Sequence, residues 1–149
     1  MDIIQKTKKE IQDLKKIQGA TQVAKAVVFA LNKYGQNLKT KDKQKFIKQL
    51  KKASDILQSA RPTEPLSQNG VKFIFNHLKK AKDITQAKTD LQKATKEFLA
   101  LIERTTKDIS FKASKIIKNN ENFIKHFYYL FRIFTYFRCS IDRVSNGDL

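Results

Sequence analysis

An interruption of the helical pattern at residues 17–21, Ile-Gln-Gly-Ala-Thr, has the residue types of an anion-binding turn. Gly19 permits the backbone to approach a ligand closely. Thr21 is predicted to cap the next helix with its hydroxyl, and Ala20 lies between the two. The first N–H groups of that helix would then face a phosphate or another anion, which the helix dipole favours.

A second interruption, residues 60–65, reads Ala-Arg-Pro-Thr-Glu-Pro. Pro62 disfavours helical geometry at the residue before it, so a helix is predicted to end with Arg61 at its tip. A guanidinium can offer two parallel N–H donors to a phosphate or a phosphoserine. The predicted anion-binding residues are therefore Gly19, Ala20, Thr21 and Arg61.

The same residues also have a purely structural interpretation. Gly19 would then only permit a tight turn between two helices, and Arg61 would only bind the C-terminal carbonyl groups of the preceding helix. Residue types alone do not separate this interpretation from the anion site.

No other pattern in the chain predicts catalysis or a metal site. His77 and His126 are far apart, the single cysteine Cys139 has no CxxC partner, and no HExxH motif or phosphate-binding glycine loop is present. We therefore expect no metal, no cofactor and no catalytic residue. One cysteine excludes an internal disulfide, and no segment has the pattern of a signal peptide or a membrane span, so we predict a cytoplasmic protein without membrane contact.

Helical periodicity predicts an all-α bundle of about five helices with a long C-terminal helix. The predicted helices span about residues 2–17, 21–35, 40–60, 67–78 and 83–118. Asp2 and Ser67 are predicted to cap the first and the fourth, and Gly35 to end the second in a left-handed conformation. The second helix, with its broad apolar stripe, is expected to be the most buried; the stripe consists of Val23, Ala24, Val27, Val28 and Leu31.

The fifth predicted helix keeps an approximate 3.5-residue apolar repeat, which is typical of a seam against other helices. Beyond Lys125 the composition changes, because the last 24 residues contain no lysine and residues 123–137 carry eight of the fifteen aromatic residues. An exposed aromatic tail and an unpaired seam would favour self-association, so a homo-oligomer is expected.

The net charge of +17, with 31 basic and 14 acidic residues, favours an anionic partner such as RNA. An alternative source is genome composition, since Lys, Asn, Ile and Phe are the residues that A/T-rich codons encode. The charge alone does not choose between them.

The two interruptions together resemble the N-terminal helical domain of the translation initiation factor 2B alpha/beta/delta family, which includes ribose-1,5-bisphosphate isomerase and methylthioribose-1-phosphate isomerase. Residues 17–21 followed by Val23-Ala24 resemble its I-x-G-A segment. Residues 60–63, followed by Asn69 and the apolar run 71–75, resemble its R-P-T…N-A-x-x-[YF] segment. The match covers roughly residues 5–118, and in full-length members this domain precedes a Rossmann-like C-terminal domain.

This resemblance implies a truncated member with a helical domain at residues 1–120 and a divergent aromatic tail at 121–149, which would be the start of a missing second domain. It implies a regulatory or scaffold subunit that binds the alpha subunit of initiation factor 2 or homologous subunits. One alternative is a fragment of a sugar-phosphate isomerase of the ribose-1,5-bisphosphate type. A second is a helical bundle that binds RNA without sequence preference.

Departures from the isomerase branch argue against an enzyme. Gln18 and Thr21 replace the arginine and the glycine of its R-G-A-G segment. Lys125-His126-Phe127 stands where a T-H-C type ending is usual, so the histidine is kept and the cysteine is not. Family isomerases take their catalytic cysteine and aspartate from the C-terminal domain, and Cys139 does not occupy the motif position.

Overall fold

Five α-helices form the part of the chain that the computed structural model describes, which is residues 2–13 and 15–116. They are α1 (Ile3–Gln12), α2 (Ala20–Asn37), α3 (Lys43–Gln58), α4 (Pro65–Leu78) and α5 (Ile84–Ile116). No strand occurs within these residues, and the all-α prediction is confirmed. The aromatic tail predicted at 121–149 lies outside the described residues.

Helix α2 lies at the centre of the first compact unit, residues 1–99. It packs against α1, α3 and α4, and α3 packs against α1 and α4. All five residues of its predicted apolar stripe are at most 1% exposed, as the 3.6-residue period requires of a helix surrounded by others. The N-terminal end of α2, at Ala20, lies within the first interruption.

The C-terminal end of α2 differs from the prediction. Gly35 does not end the helix, which continues to Asn37. A Cβ atom at Gly35 would lie 3.3 Å from Leu50 Cδ2 and would also contact the Leu91 side chain, so glycine is present here to allow close packing. The terminal carbonyls are satisfied instead by Lys88, whose Nζ donates to Gln36 O at 3.1 Å and to Leu38 O at 2.9 Å.

Helices α1 and α4 also begin or end differently from the prediction. Helix α1 ends at Gln12 rather than near residue 17, and Asp2 occupies its N-cap position without a side-chain hydrogen bond. Helix α4 begins at Pro65, whose fixed φ suits a first helical position. Ser67 is therefore not the cap: it lies inside α4, and its hydroxyl donates to Glu64 O at 2.9 Å.

Helix α5 carries its apolar repeat from inside the first unit into the second, residues 100–149. Ala87, Leu91 and Ala94 are fully buried, so the seam prediction holds over the first half of the helix. Farther along, Leu101 is 41% and Ile109 is 52% exposed. None of the helices within residues 2–13 and 15–116 combines the length and apolar character needed to cross a bilayer.

Candidate anion-binding site

The connection between α1 and α2 is folded around Asp13. Its carboxylate accepts a hydrogen bond from Lys15 N at 3.0 Å and lies 3.8 Å from Lys16 Nζ. Its backbone carbonyl accepts from Lys16 N at 2.9 Å and from Ile17 N at 3.3 Å. These contacts make a compact turn directly after α1 and fix the position of Ile17.

Gly19 is the residue that directs the chain from this turn into α2. It has φ 77° and ψ 147°, a region that only glycine adopts without strain. A Cβ atom at this position would meet nothing within 4 Å, so the space beside Gly19 is open. The residue is needed for its backbone conformation and not for close packing.

The N-terminus of α2 has no side-chain cap. The prediction that Thr21 caps this helix is wrong, because Gly19 occupies the N-cap position and Thr21 is the second helical residue. The N–H groups of Ala20 and Thr21 lie in the first turn, where a helix supplies no acceptor. Ala20 is exposed and Thr21 is partly exposed.

The second interruption is a tight connection in which backbone hydrogen bonds hold Arg61. Helix α3 ends at Gln58 and not at the predicted residue 60, so Arg61 lies three residues beyond the helix and not at its tip. Arg61 N donates to Gln58 O at 3.2 Å, and Glu64 N donates to Arg61 O at 3.3 Å. Gln68 Nε2 donates to Pro62 O at 2.7 Å, which ties the connection to α4.

The two connections meet through the Arg61 side chain. Its Nη2 atom donates a hydrogen bond to Ile17 O at 3.1 Å, across 44 residues of sequence. The structure thus brings Arg61 to the segment that contains Gly19, two residues after the acceptor. The Arg61 side chain thus binds the α1–α2 connection, whereas the structural alternative assigned it to the C-terminal carbonyls of α3. Ile17 gave no sequence signal, since any residue type supplies a carbonyl.

Such an arrangement suits an oxyanion. One N–H group of the Arg61 guanidinium donates to Ile17 O. A guanidinium carries five N–H donors, so others can bind a ligand. The dipole of α2 places partial positive charge at its uncapped N-terminus, on the connection that Arg61 contacts. The site is partly exposed rather than enclosed, so an anion carried by a larger molecule could reach it.

The histidine of the described region, His77, links α4 to α5 through polar contacts. His77 Nδ1 lies 2.9 Å from Phe73 O, and His77 Nε2 lies 3.2 Å from Glu97 Oε2, which joins α4 to α5. His126 and Cys139 lie outside the described residues. Within residues 2–13 and 15–116 no group of three or more His, Cys, Asp or Glu side chains could hold a metal ion.

An open cleft of about 300 Å³ lies between the C-terminal end of α2 and the start of α5. Its lining residues are Gln36, Thr40, Ile84, Thr85, Lys88, Thr89 and Gln92. Lys88 is the cationic side chain of this cleft, and its Nζ donates to the carbonyl groups of Gln36 and Leu38 at the end of α2. The cleft therefore has the contacts of a helix cap rather than those of a ligand site.

The chain matches a known protein family over most of its length. The model of the initiation factor 2 subunit family matches residues 16–128, a range that contains both interruptions, residues 17–21 and 60–65. The ribose 1,5-bisphosphate isomerase of Methanocaldococcus jannaschii is 33% identical to this chain over 78 residues. That alignment covers 52% of this chain and 25% of the isomerase, so the chain spans about a quarter of the length of this relative.

Proposed function

The chain belongs to the initiation factor 2 subunit family, and on that premise we propose that it is a regulatory or scaffold module of translation initiation in the cytoplasm. Its partner would be the alpha subunit of initiation factor 2 or a homologous subunit. The partner would present an anionic group, such as a phosphoserine, to Gly19, Ala20, Thr21 and Arg61. The observation that carries this proposal is the hydrogen bond from Arg61 to Ile17 O at 3.1 Å.

The proposed recognition has two parts. Arg61, held by its contact with Ile17, supplies a directed positive charge, and the uncapped amides of α2 supply N–H donors. Charge-assisted hydrogen bonds of this kind are roughly twice as strong as neutral ones. A phosphate is favoured over a carboxylate because it offers more oxygens to donors that approach from two connections.

A pull-down of purified initiation factor 2 tests the proposal. Arg61→Ala is expected to reduce capture at least tenfold, and Arg61→Lys to reduce it as well, because lysine lacks the two-pronged donor geometry. Arg104→Ala is the matched control, since it removes the same charge from an exposed position on α5 and is expected to bind as wild type does.

Folding must be checked separately, because Arg61→Ala also removes the bond to Ile17 O. We expect a loss of about 1–2 kcal/mol in unfolding free energy, measured by urea denaturation, which leaves the bundle folded. Equal capture by wild type and the Arg61→Ala variant would refute the proposed site. Absence of capture by both at low and high salt would refute the proposed partner.

The match to ribose 1,5-bisphosphate isomerase supports a second candidate, in which this chain is the substrate-binding part of a sugar-phosphate isomerase. Ribose 1,5-bisphosphate would then stabilise the chain against heat in a saturable way, and more than inorganic phosphate does at equal concentration. Arg61→Ala would abolish that stabilisation. No shift in melting temperature at millimolar ligand would exclude this candidate and leave the first unaffected.

A further inference from the structure

Helix α3 carries a cluster of lysines that the proposed anion site does not use. Its buried side consists of Phe46, Leu50, Ala53, Ser54 and Leu57. An α-helix turns by about 100° per residue about its axis. On the side of α3 that faces away from the core, four lysines lie within about 60° of the centre of that side, measured around the helix axis. These four, which we term the α3 lysine face, are Lys45, Lys48, Lys51 and Lys52, and all are exposed.

The ammonium groups of this face have no acidic partner among the residues that the structure describes. None of the ion pairs found within residues 2–13 and 15–116 includes any of the four lysines. Asp55 is the acidic residue on this side of α3, and it lies at the C-terminal end of the cluster. The face therefore carries a net charge of about +3 along a rise of roughly 10 Å from Lys45 to Lys52.

We propose that the α3 lysine face binds the phosphate backbone of single-stranded nucleic acid. Exposed lysines act as point charges that neutralise phosphates and release counterions, without reading base sequence. A single strand can follow a convex helix surface because its backbone is flexible. This site is separate from the one at Arg61 and does not depend on the proposed function.

The composition of this surface disfavours two other partners. A membrane-surface helix needs large exposed apolar residues beside its lysines, and a protein interface has an apolar centre from which lysine is depleted. The large exposed apolar residues of the described region are Phe29, Leu101, Ile109 and Phe111, and none of them belongs to α3. A surface of unpaired lysines without apolar anchors fits a polyanion best.

Fluorescence anisotropy with a labelled 20-nucleotide oligouridine tests this inference on the full chain. Four phosphate contacts contribute about −2.8 to the slope of log affinity against log salt, which is about a 50-fold change between 50 and 200 mM salt. Replacing all four lysines by glutamine is expected to remove this contribution. The matched control replaces one exposed lysine on each of the other four helices, Lys9, Lys33, Lys72 and Lys96, and is expected to change the slope by less than about 1.

Each outcome bears on the inference. A larger change for the α3 variant than for the control, with equal binding of oligothymidine, supports it, because lysine does not distinguish the two backbones. Equal changes in both variants would mean that net charge alone binds the oligonucleotide, and would overturn it. Binding to vesicles rich in phosphatidylserine without binding to oligouridine, or binding to neither, would overturn it too. Circular dichroism verifies that both variants keep the wild-type helix content.

Discussion

Replacement of Gly19 by alanine tests how the first connection is built. The backbone at φ 77° and ψ 147° lies in a region where a residue with a Cβ atom costs about 1–3 kcal/mol. Alanine also lowers the conformational entropy of the unfolded chain, which stabilises the folded state by about 0.4–1 kcal/mol. We therefore expect the Gly19→Ala variant to lose about 1–2 kcal/mol of unfolding free energy. No steric contribution is expected, because a Cβ here meets no atom within 4 Å.

Urea unfolding followed by far-ultraviolet circular dichroism measures this loss. With an m-value of about 2 kcal/mol per molar, the midpoint should fall by roughly 0.5–1 M at unchanged m. Gly19→Leu should cost the same as Gly19→Ala within about 0.5 kcal/mol, because the strain arises in the backbone and the side chain points into open space. A Gly19→Ala variant as stable as wild type, or a Gly19→Leu variant much less stable than Gly19→Ala, would refute this reasoning.

Gly70 and Tyr34 affect stability for two other reasons, close packing and ionisation. A Cβ atom at Gly70 would lie 2.7 Å from Phe98 Cε1 and 2.8 Å from Val28 Cγ1. Gly70→Ala should therefore lower the free energy of unfolding, measured in urea, by about 1–3 kcal/mol. Adding Phe98→Leu to this variant should recover part of the loss, because it removes ring atoms that the new Cβ meets. Partial burial, and secondarily the Asp2 carboxylate, raises the pKa of Tyr34 above its ordinary value of 10.0. The folded chain then holds the phenol proton more tightly than the unfolded chain does. The resulting contribution of Tyr34 to the free energy of unfolding is fully present below about pH 10 and is lost as the pH rises through the folded pKa. Tyr34→Phe should lessen the loss of stability above about pH 10, measured by urea unfolding across that range.

Features that depend on local periodicity could be predicted from the sequence. The α2 stripe was predicted from spacing alone, and its members are buried because side chains at that spacing share one face of any α-helix. The two interruptions are predictable from glycine and proline, because these residues change the backbone conformation at or next to their own position. The family resemblance drawn from them is confirmed by the family match over residues 16–128.

Helix ends could not be predicted because residues far away in the sequence decide them. Gly35 looked like a terminator, yet the side chains of Leu50 and Leu91 require a small residue inside the helix. The actual end of α2 is capped by Lys88, about 50 residues away. Likewise, no sequence pattern marks the carbonyl of Ile17 as the acceptor for Arg61, since every residue has one.

The contact between Arg61 and Ile17 bears on binding strength as well as on geometry. Ordering a free arginine side chain costs up to about 2 kcal/mol, and a flexible arginine would meet that cost only when its ligand arrives. Here the guanidinium is already held by Ile17 O, and the backbone of Arg61 is fixed at both its N–H and its carbonyl. An incoming phosphate would therefore meet a donor whose remaining N–H groups are partly ordered in the free protein. Lysine at position 61 would keep the positive charge but lack the planar guanidinium. The guanidinium can donate to Ile17 O with one N–H group and to a phosphate with others. For this reason Arg61→Lys should behave more like Arg61→Ala than like wild type.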